Sequence, residues 1–278
     1  MDVTVLSLVD GAPGCGPRTQ VLACSDALKG LGASVALVDA SDNAAIDAAI
    51  DATSSSGSRL IVAADTDAQV RAVVRRAVRL LAPPPSKRPD DLPDDRTIPD
   101  LPPIGILPLA ERPAIMGGLG LPVTPAEVAA AVVTGRVART DLLRHDGGGV
   151  TIHGVRIGGG DRIWRGKIAL DDVILSDGSE PLVTCVVANA GYGEADGLPL
   201  CEPDAADGVI DVAIATPFVH RGFIKRRTRI EVRRARGRAV AITPVADVPH
   251  VDDGTVTDLT RKRTWWMERG AAGWYTTA

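Results

Sequence analysis

A glycine-rich loop near the start of the chain has the composition of a phosphate-binding turn. The segment DGAPGCGP (10–17) follows the β-branched apolar run VTVLSLV (3–9), and apolar residues recur at helical spacing from Val21 onward. Glycines before a helix let the backbone approach a phosphate closely, which makes Gly11 a candidate nucleotide-binding residue. The segment lacks the GxGxxG and GK[ST] spacings, which favours a plain turn over a phosphate-binding loop.

A run of basic residues is the second feature that could bind a ligand. Residues 219–238 contain nine Lys or Arg and a single acid, Glu231. Alternation in RTRIEVRRARGRAVAI predicts a hairpin with arginines on one face and apolar side chains on the other. Such a face would attract anionic lipid headgroups with about 1 kcal/mol per basic residue. The candidate membrane residues are Arg226, Arg227, Arg229, Arg233 and Arg234, and the opposing apolar residues are Ile230, Val232, Val240 and Ile242.

Other partners remain open for this basic run. It can be a solvated face that complements the acidic remainder of a chain whose net charge is −4. Phosphate contacts need no sequence code, so nucleic acid is a further alternative. No RNA- or DNA-binding motif accompanies the run, which makes nucleic acid the least favoured partner. A protein partner is also compatible with it.

The elements of the first half alternate between strands and helices. After the first strand, loop and helix, the sequence predicts strands at 34–41 and 59–65, a short helix between them, and a helix through 70–81. A strand resumes at 103–109. Thr-Pro-Ala-Glu at 124–127 then predicts an N-cap with a capping box, and Gly135 ends that helix. This alternation indicates a Rossmann-like, mostly parallel sheet with ligands beyond the carboxyl ends of its strands.

The rest of the chain has a different construction. Between Ala82 and Pro103, eight prolines among 22 residues favour a mobile insertion. After Asp141, short alternating segments separated by Gly and Asp-Gly turns predict an antiparallel β-sandwich. We therefore expect an α/β domain over 1–141, which includes the insertion at 82–103, and a β-sandwich domain over 142–258.

Composition and the lengths of apolar runs limit where the protein can be located and which ligands it can bind. No apolar run approaches the roughly 20 residues of a membrane span, and an acid stands where a signal peptide would carry basic residues. The expected location is the cytoplasm, with peripheral attachment to the inner membrane face as an option. Four scattered cysteines favour buried thiols over a disulfide framework. Four histidines show no metal-ligand spacing.

Four segments together resemble the diacylglycerol kinase and sphingosine kinase family of lipid kinases, which are relatives of NAD kinase. PIGILPLAERPAIMGGLGLP (103–122) is similar to the family's "lGilPlGTgNdfA..lGip", and RLIVAADTDAQVRAVV (59–74) to its "v.GGDGT..EVv". ANAGYGEADGLPLCEPDAADGVIDVAI (188–214) is similar to the stretch that ends in "PDA…DG.lDv". ITPVADVPHVDDGT (242–255) is similar to "pv.v.vDGE". The resemblance spans nearly the whole chain and implies that residues 259–278 return to the first domain.

The resemblance implies an ATP- and Mg²⁺-dependent phosphoryl transfer to a lipid hydroxyl. It assigns Asp253 as the base, with Asp65 as a second catalytic residue, and Asp204 and Asp207 to the metal. Ordinary turns are the alternative for Asp204, Asp207 and Asp253, because Asp-Gly is a common turn sequence. The implied nucleotide-binding residues are Ala63, Ala64, Asp65, Thr66, Asp67 and Gly11.

Departures from the family's pattern affect both loops that would hold phosphate. All three glycines of GGDGT are replaced, and Asp67 adds a second carboxylate. GTGND becomes Ala-Glu-Arg-Pro-Ala at 110–114. We therefore expect a lipid-kinase-fold protein with weak or lost phosphorylation and a lipid- or protein-binding role. An active lipid kinase that uses Mg²⁺ and ATP is the alternative.

Overall fold

The computed structural model describes residues 1–8, 19–84, 87, 89–109, 112–160, 162–195, 197–221 and 226–277. For 219–221 and 226–228 only the backbone is described. The chain divides into two compact units. Unit 1 comprises Met1–Thr140 and Gly270–Ala278, and unit 2 comprises Asp141–Arg269.

Unit 1 is built on a parallel sheet in the order β2-β1-β3-β4. The last residues of the chain add to it, because Trp274 pairs in parallel with Ile104. The strands are β1 (Asp2–Leu8), β2 (Ser34–Ala40), β3 (Arg59–Ala64) and β4 (Ile104–Pro108). The helices are α1 (Thr19–Gly30), α2 (Asn43–Ser56), α3 (Asp67–Leu81), α4 (Ala114–Gly118) and α5 (Pro125–Thr134). The predicted α/β class with a parallel sheet is confirmed.

Helix α5 begins and ends as the sequence predicts. The Thr124 side chain accepts a hydrogen bond from the backbone N–H of Glu127, and the Glu127 carboxylate accepts from the backbone N–H of Thr124. Pro125 occupies the first turn, and Gly135 follows the helix in the left-handed region at φ 75°. These local hydrogen bonds satisfy groups that a helix end leaves open.

The proline-rich segment forms neither α-helix nor strand in its described part, but it is anchored to unit 1. Ile98 and Leu101 are buried, and the backbone N–H of Leu101 donates to the carbonyl of Ala271 at 2.9 Å. Arg139 Nη1 also donates to the carbonyl of Leu101 at 2.8 Å. Two apolar side chains therefore hold this segment to the domain at its C-terminal end.

The described part of unit 2 contains two large antiparallel sheets and the two-stranded sheet β11-β12. The first has the order β14-β13-β10-β7-β16-β17, and the second contains β15, β8 and β9 together with β5, β6 and the first part of β18. One core lies between the sheets and contains Val155, Ile157, Ile168, Ile242 and Trp265. The predicted antiparallel sandwich is confirmed. Its strands are β5 (Val137–His145), β6 (Gly149–Thr151), β7 (Gly154–Gly158), β8 (Gly166–Leu170), β9 (Val173–Asp177), β10 (Thr184–Ala188), β11 (Glu194–Ala195), β12 (Leu198–Pro199), β13 (Ile210–Arg221), β14 (Arg226–Gly237), β15 (Ala239–Pro244), β16 (Val248–Asp252), β17 (Thr255–Leu259) and β18 (Arg263–Tyr275).

The predicted pairing of the basic run is wrong. Strand β14 pairs along its full length with β13, whereas β15 pairs with β8 and β18 in the other sheet. The bend at Gly237 and Arg238 moves the chain from one sheet to the other. Ile230 and Val232 therefore do not share a hairpin face with Val240 and Ile242.

Among the described residues, no helix has both the length and the apolar character needed to cross a membrane.

Candidate functional site

The loop after β3 is built as a tight strand-to-helix connection in unit 1. Thr66 caps α3 by accepting a hydrogen bond from the backbone N–H of Gln69, and the Asp65 backbone N–H donates to Gln69 Oε1 at 2.7 Å. The loop thus lies at the carboxyl end of a parallel strand, where α/β sheets bind ligands.

Asp67 places a hydrogen-bonded carboxylate directly after this loop. It is the first residue of α3, and its Oδ1 atom accepts a hydrogen bond from the backbone N–H of Ile115 at 3.0 Å. Ile115 lies in the first turn of α4, within the segment that resembles the family's second phosphate loop. A carboxylate near the start of a helix is favoured by the helix dipole. The protein's own carboxylate therefore accepts the backbone N–H of Ile115 at the start of α4.

Ala63 and Ala64 are the last two residues of β3. Both are fully buried, and the carbonyl of Ala64 accepts a hydrogen bond from the backbone N–H of Leu109. Ala63 also belongs to the apolar core of unit 1. The resemblance implies that both alanines bind nucleotide; in the structure both side chains are buried at the carboxyl end of the strand.

An open groove of about 480 Å³ lies at the same edge of the sheet. Its polar lining consists of hydroxyl, amide and carboxylate groups, and the described lining contains no lysine or arginine. Asp42 on this lining caps α2 through the backbone N–H of Ala45. The described part of the groove therefore offers little positive charge to a triphosphate. The lining residues are Leu8, Ala40, Ser41, Asp42, Asn43, Ile46, Thr66, Ala68, Gln69 and Ala72. Gly11 lies outside the described residues.

Asp253 occupies a strained turn in unit 2 and holds a neighbouring segment. It has φ 45°, in the left-handed region, and is 1% exposed. Its carboxylate accepts hydrogen bonds from three successive backbone N–H groups: Ile152 at 2.7 Å, His153 at 2.8 Å and Gly154 at 3.1 Å. A carboxylate has about four lone-pair positions, so most of its acceptor capacity is used.

Buried polar residues that the sequence analysis did not select surround this turn. Asn189 Nδ2 donates to the carbonyls of Asp141 and Ile152 at 2.9 and 2.7 Å, and Asn189 Oδ1 is buried with no hydrogen-bond partner among the described residues. Asp141 is fully buried and accepts from the backbone N–H of Gly208 at 2.6 Å. Only Asn189 lies in a quoted motif, and no spacing marks Asp141, because its role depends on contacts with residues distant in sequence.

Asp252 extends the same network on the other side of the turn. Its carboxylate accepts from the Thr151 hydroxyl at 2.7 Å and lies 3.9 Å from Nε2 of the buried His145. Together with Asp253, it fixes residues 151–154 through side-chain and backbone hydrogen bonds. Both aspartates therefore hold residues 151–154 in place through hydrogen bonds.

Asp204 and Asp207 form turn contacts. Asp204 Oδ1 accepts from the backbone N–H of Ala206 at 3.0 Å, and Asp207 Oδ1 accepts from that of Val209 at 3.1 Å. Asp207 also pairs with Arg236. Across the described part of the chain, no group of three or more His, Cys, Asp or Glu side chains could hold a metal ion. These contacts match the turn alternative for both residues.

A cavity of about 630 Å³ adjoins these aspartates and contains a strongly buried acid. Asp211 is 7% exposed, and its Oδ1 atom lies 3.2 Å from Arg236 Nε. Its Oδ2 atom has no hydrogen-bond partner among the described residues. Burial raises the pKa of the Asp211 carboxyl, with Asp207 and Asp204 acting in the same direction and Arg236 opposing them.

The predicted membrane arginines lie on both faces of β14. Directly opposed residues of an antiparallel pair share a face, so Arg233 lies with Ile214, and Arg234 lies with Ala213. Arg233 pairs with Glu180, and Arg234 donates to the carbonyls of Leu200 and Pro199. Arg229 is exposed, and the side chains of Arg226 and Arg227 lie outside the described set.

The solved structures similar to this chain identify its fold. A diacylglycerol kinase from Bacillus anthracis str. Sterne matches with a TM-score of 0.68 and 14% identity, over 99% of this chain and 96% of that chain. An NAD kinase from Archaeoglobus fulgidus, solved in complex with ATP, matches with a TM-score of 0.58 and 14% identity, over 99% and 94% of the two chains. No family model and no curated protein matches the sequence.

The chain therefore has the two-domain fold shared by lipid kinases and NAD kinase. The predicted resemblance to diacylglycerol kinases is confirmed at the level of that fold.

Proposed function

We propose that this protein is a lipid-kinase-fold protein in which ATP-dependent phosphorylation is weak or lost, and that it binds an anionic lipid surface. The observation that carries the first part is the Asp67 carboxylate, which is hydrogen-bonded to the backbone N–H of Ile115 in the loop that should receive phosphate.

Electrostatics oppose nucleotide binding at this loop. Two like unit charges about 4 Å apart repel by about 4 kcal/mol at the effective dielectric constant of a protein surface. That repulsion corresponds to about a thousandfold in affinity. The described groove lining provides no lysine or arginine to offset it. Phosphoryl transfer depends on positioning and charge stabilisation, so a loop that repels phosphate weakens the reaction at its first requirement.

The state of Asp253 supports the same conclusion. A general base must reach the proton that it removes. The Asp253 carboxylate is 1% exposed and already receives three backbone hydrogen bonds. Freeing it for catalysis would leave the N–H groups of residues 152–154 without their acceptor, and each such loss costs about 1–3 kcal/mol.

The lipid-binding part of the proposal rests on charge. Residues 219–238 carry nine basic side chains and one acid. Basic residues near an anionic membrane contribute about 1 kcal/mol each. Arg233 and Arg234 have partners within the protein. The exposed Arg229 and the more distal basic residues are therefore the main candidates for headgroup contact.

A lipid phosphorylation assay tests the catalytic part. The purified protein is incubated with Mg²⁺, ATP labelled at the γ-phosphate, and mixed micelles that contain diacylglycerol. We expect label transfer to lipid that is no faster than transfer by the Asp253→Asn variant. Transfer by the natural protein that Asp253→Asn abolishes would overturn the proposal and establish the active-kinase alternative.

A further inference from the structure

The cavity of about 630 Å³ in unit 2 lies on the outer face of the sheet that contains β13 and β14. Asp211 of β13 lies directly opposite Arg236 of β14, so the two side chains share one face of the sheet. Ala213, two residues further along β13, lies on the same face and packs with the buried Leu200 outside the core between the two sheets. Residues from the segment 199–207 form the other wall of the cavity.

Asp211 places an acceptor without a donor in the wall of this cavity. Its side chain is 9% exposed, and its Oδ1 atom lies 3.2 Å from Arg236 Nε. Its Oδ2 atom is buried and has no hydrogen-bond partner among the described residues. A buried carboxylate oxygen without a donor destabilises the folded protein, and a ligand that donates to it removes that penalty.

The pKa of the Asp211 carboxyl supports this description. Burial raises that pKa, and the nearby Arg236 opposes the rise without cancelling it. The guanidinium group therefore does not fully replace the water that this carboxylate loses on folding. Additional positive charge beside Oδ2 would stabilise the ionised form of Asp211.

Further acids line the cavity at a shallower depth than Asp211. Asp207 is partly exposed and pairs with Arg236. Glu202 and Asp204 are exposed, which places them toward solvent at the mouth of the cavity. Arg234 donates to two backbone carbonyls of the same wall. The described lining contains four acids and two arginines, so it favours a cationic ligand.

We propose that this cavity binds an aliphatic polyamine, with one ammonium group donating to Asp211 Oδ2 and a second ammonium group near Glu202 and Asp204. An ammonium group carries three N–H donors and one positive charge, so it supplies both the donor and the charge that the buried oxygen lacks. Acids at two depths favour a ligand that joins two or more ammonium groups by an apolar chain. This binding goes beyond the proposed lipid function and does not depend on it.

The position of Arg236 favours an ammonium group over a divalent metal ion. Its guanidinium group contacts both Asp207 and Asp211. A doubly charged ion at Asp211 Oδ2 would be repelled by this guanidinium twice as strongly as a singly charged ammonium group at the same distance. Mg²⁺ also demands near-octahedral oxygen coordination, whereas an ammonium group is satisfied by two or three acceptors in a looser arrangement.

Equilibrium dialysis with radiolabelled spermidine tests the inference. The salt concentration is about 0.15 M, so that binding to scattered surface charges is screened. We expect the natural protein to bind spermidine saturably and Asp211→Asn to bind it at least about tenfold more weakly, because a charge-assisted hydrogen bond becomes a neutral one. Asp172→Asn is the matched control, since it removes an exposed acid of the same unit, and it should bind as the natural protein does. Thermal unfolding establishes that each variant is folded.

A second variant tests the acids at the mouth of the cavity. Glu202→Gln combined with Asp204→Asn removes two negative charges but keeps an oxygen that can accept the hydrogen bond from the backbone N–H of Ala206. We expect this pair to weaken spermidine binding by about threefold or more, which is less than the effect of Asp211→Asn because exposed ion pairs contribute less than buried ones.

The outcomes decide for or against the polyamine site. The absence of saturable spermidine binding by the natural protein would overturn the inference, as would equal weakening by Asp211→Asn and Asp172→Asn. Unchanged binding by the pair at the mouth would overturn the choice of a polyamine. If Mg²⁺ displaces spermidine and itself binds only when Asp211 is present, the cavity is a metal site and the inference is overturned. No lipid takes part in these measurements, so failure of the proposed lipid binding would leave their result unchanged.

Discussion

The Oδ1 atom of Asp67 lies 3.0 Å from the backbone nitrogen of Ile115 and accepts its hydrogen bond. This contact joins the first residue of α3 to the first turn of α4, so one carboxylate links the two segments that resemble phosphate-binding loops. It gives the protein an internal anion at the carboxyl edge of the parallel sheet.

Removing that carboxylate should reduce stability. We expect Asp67→Ala to lower the free energy of unfolding by about 1 kcal/mol, through loss of a hydrogen bond and of a favourable charge near the start of α3. Asp67→Asn keeps an acceptor oxygen and should lose less. Urea denaturation measures both, and equal stability of Asp67→Ala and the natural protein would show that the Ile115 contact contributes nothing.

Asp253 should be important for folding. We expect Asp253→Ala to lower the free energy of unfolding by about 3 kcal/mol or more, because three backbone donors lose their acceptor. The φ of 45° adds strain for alanine. Asp253→Gly relieves that strain while losing the same hydrogen bonds, so it should fall between alanine and the natural protein. A loss below about 1 kcal/mol for alanine would contradict the structural role.

Asp211 should make stability depend on pH. Burial raises the pKa of its carboxyl in the folded protein above its ordinary value of 3.8, so the folded state holds this proton more tightly than the unfolded state. The contribution of Asp211 to stability is therefore greatest below pH 3.8 and falls as pH rises through the folded pKa.

Substitution of Asp211 by asparagine isolates the contribution of its carboxyl to the pH dependence of stability. We expect Asp211→Asn to raise the melting temperature at pH 7 relative to the natural protein, with the difference disappearing where Asp211 is protonated in both states. A melting-temperature difference that is constant with pH would contradict the assignment. Asp172→Asn is the matched control, because that side chain is exposed and does not contribute to the pKa shift of Asp211.

The N-cap of α5 offers an independent test of the first domain. Thr124→Ala should lower the free energy of unfolding by about 1 kcal/mol, since the side chain caps the helix through the backbone N–H of Glu127. Thr124→Ser keeps the hydroxyl and should restore most of the loss. If serine and alanine are equally destabilising, the hydroxyl is not the cause.

Local patterns in the sequence predict most of the fold. Alternating strand and helix periodicities indicated the parallel sheet of unit 1, and Thr124, Glu127 and Gly135 marked the ends of α5, because caps depend on neighbours within a few residues. Short alternating strands with glycine turns likewise indicated the sandwich of unit 2.

Such patterns cannot predict contacts between residues that lie far apart in the sequence. Alternation of basic and apolar residues predicts a hairpin between β14 and β15, yet β14 pairs with the preceding β13. Asp253 was selected by resemblance, but its three contacts with residues 152–154 lie about a hundred positions away. Asp141, fully buried, carries no local signal.

Calorimetric titration with Mg-ATP tests most directly whether the loop after β3 binds phosphate. The natural protein is compared with a variant that combines Ala63→Gly, Ala64→Gly, Thr66→Gly and Asp67→Thr, after thermal unfolding has shown that both are folded. We predict binding by the variant alone. Micromolar binding of Mg-ATP by the natural protein would contradict this prediction and direct the search to its lipid acceptor.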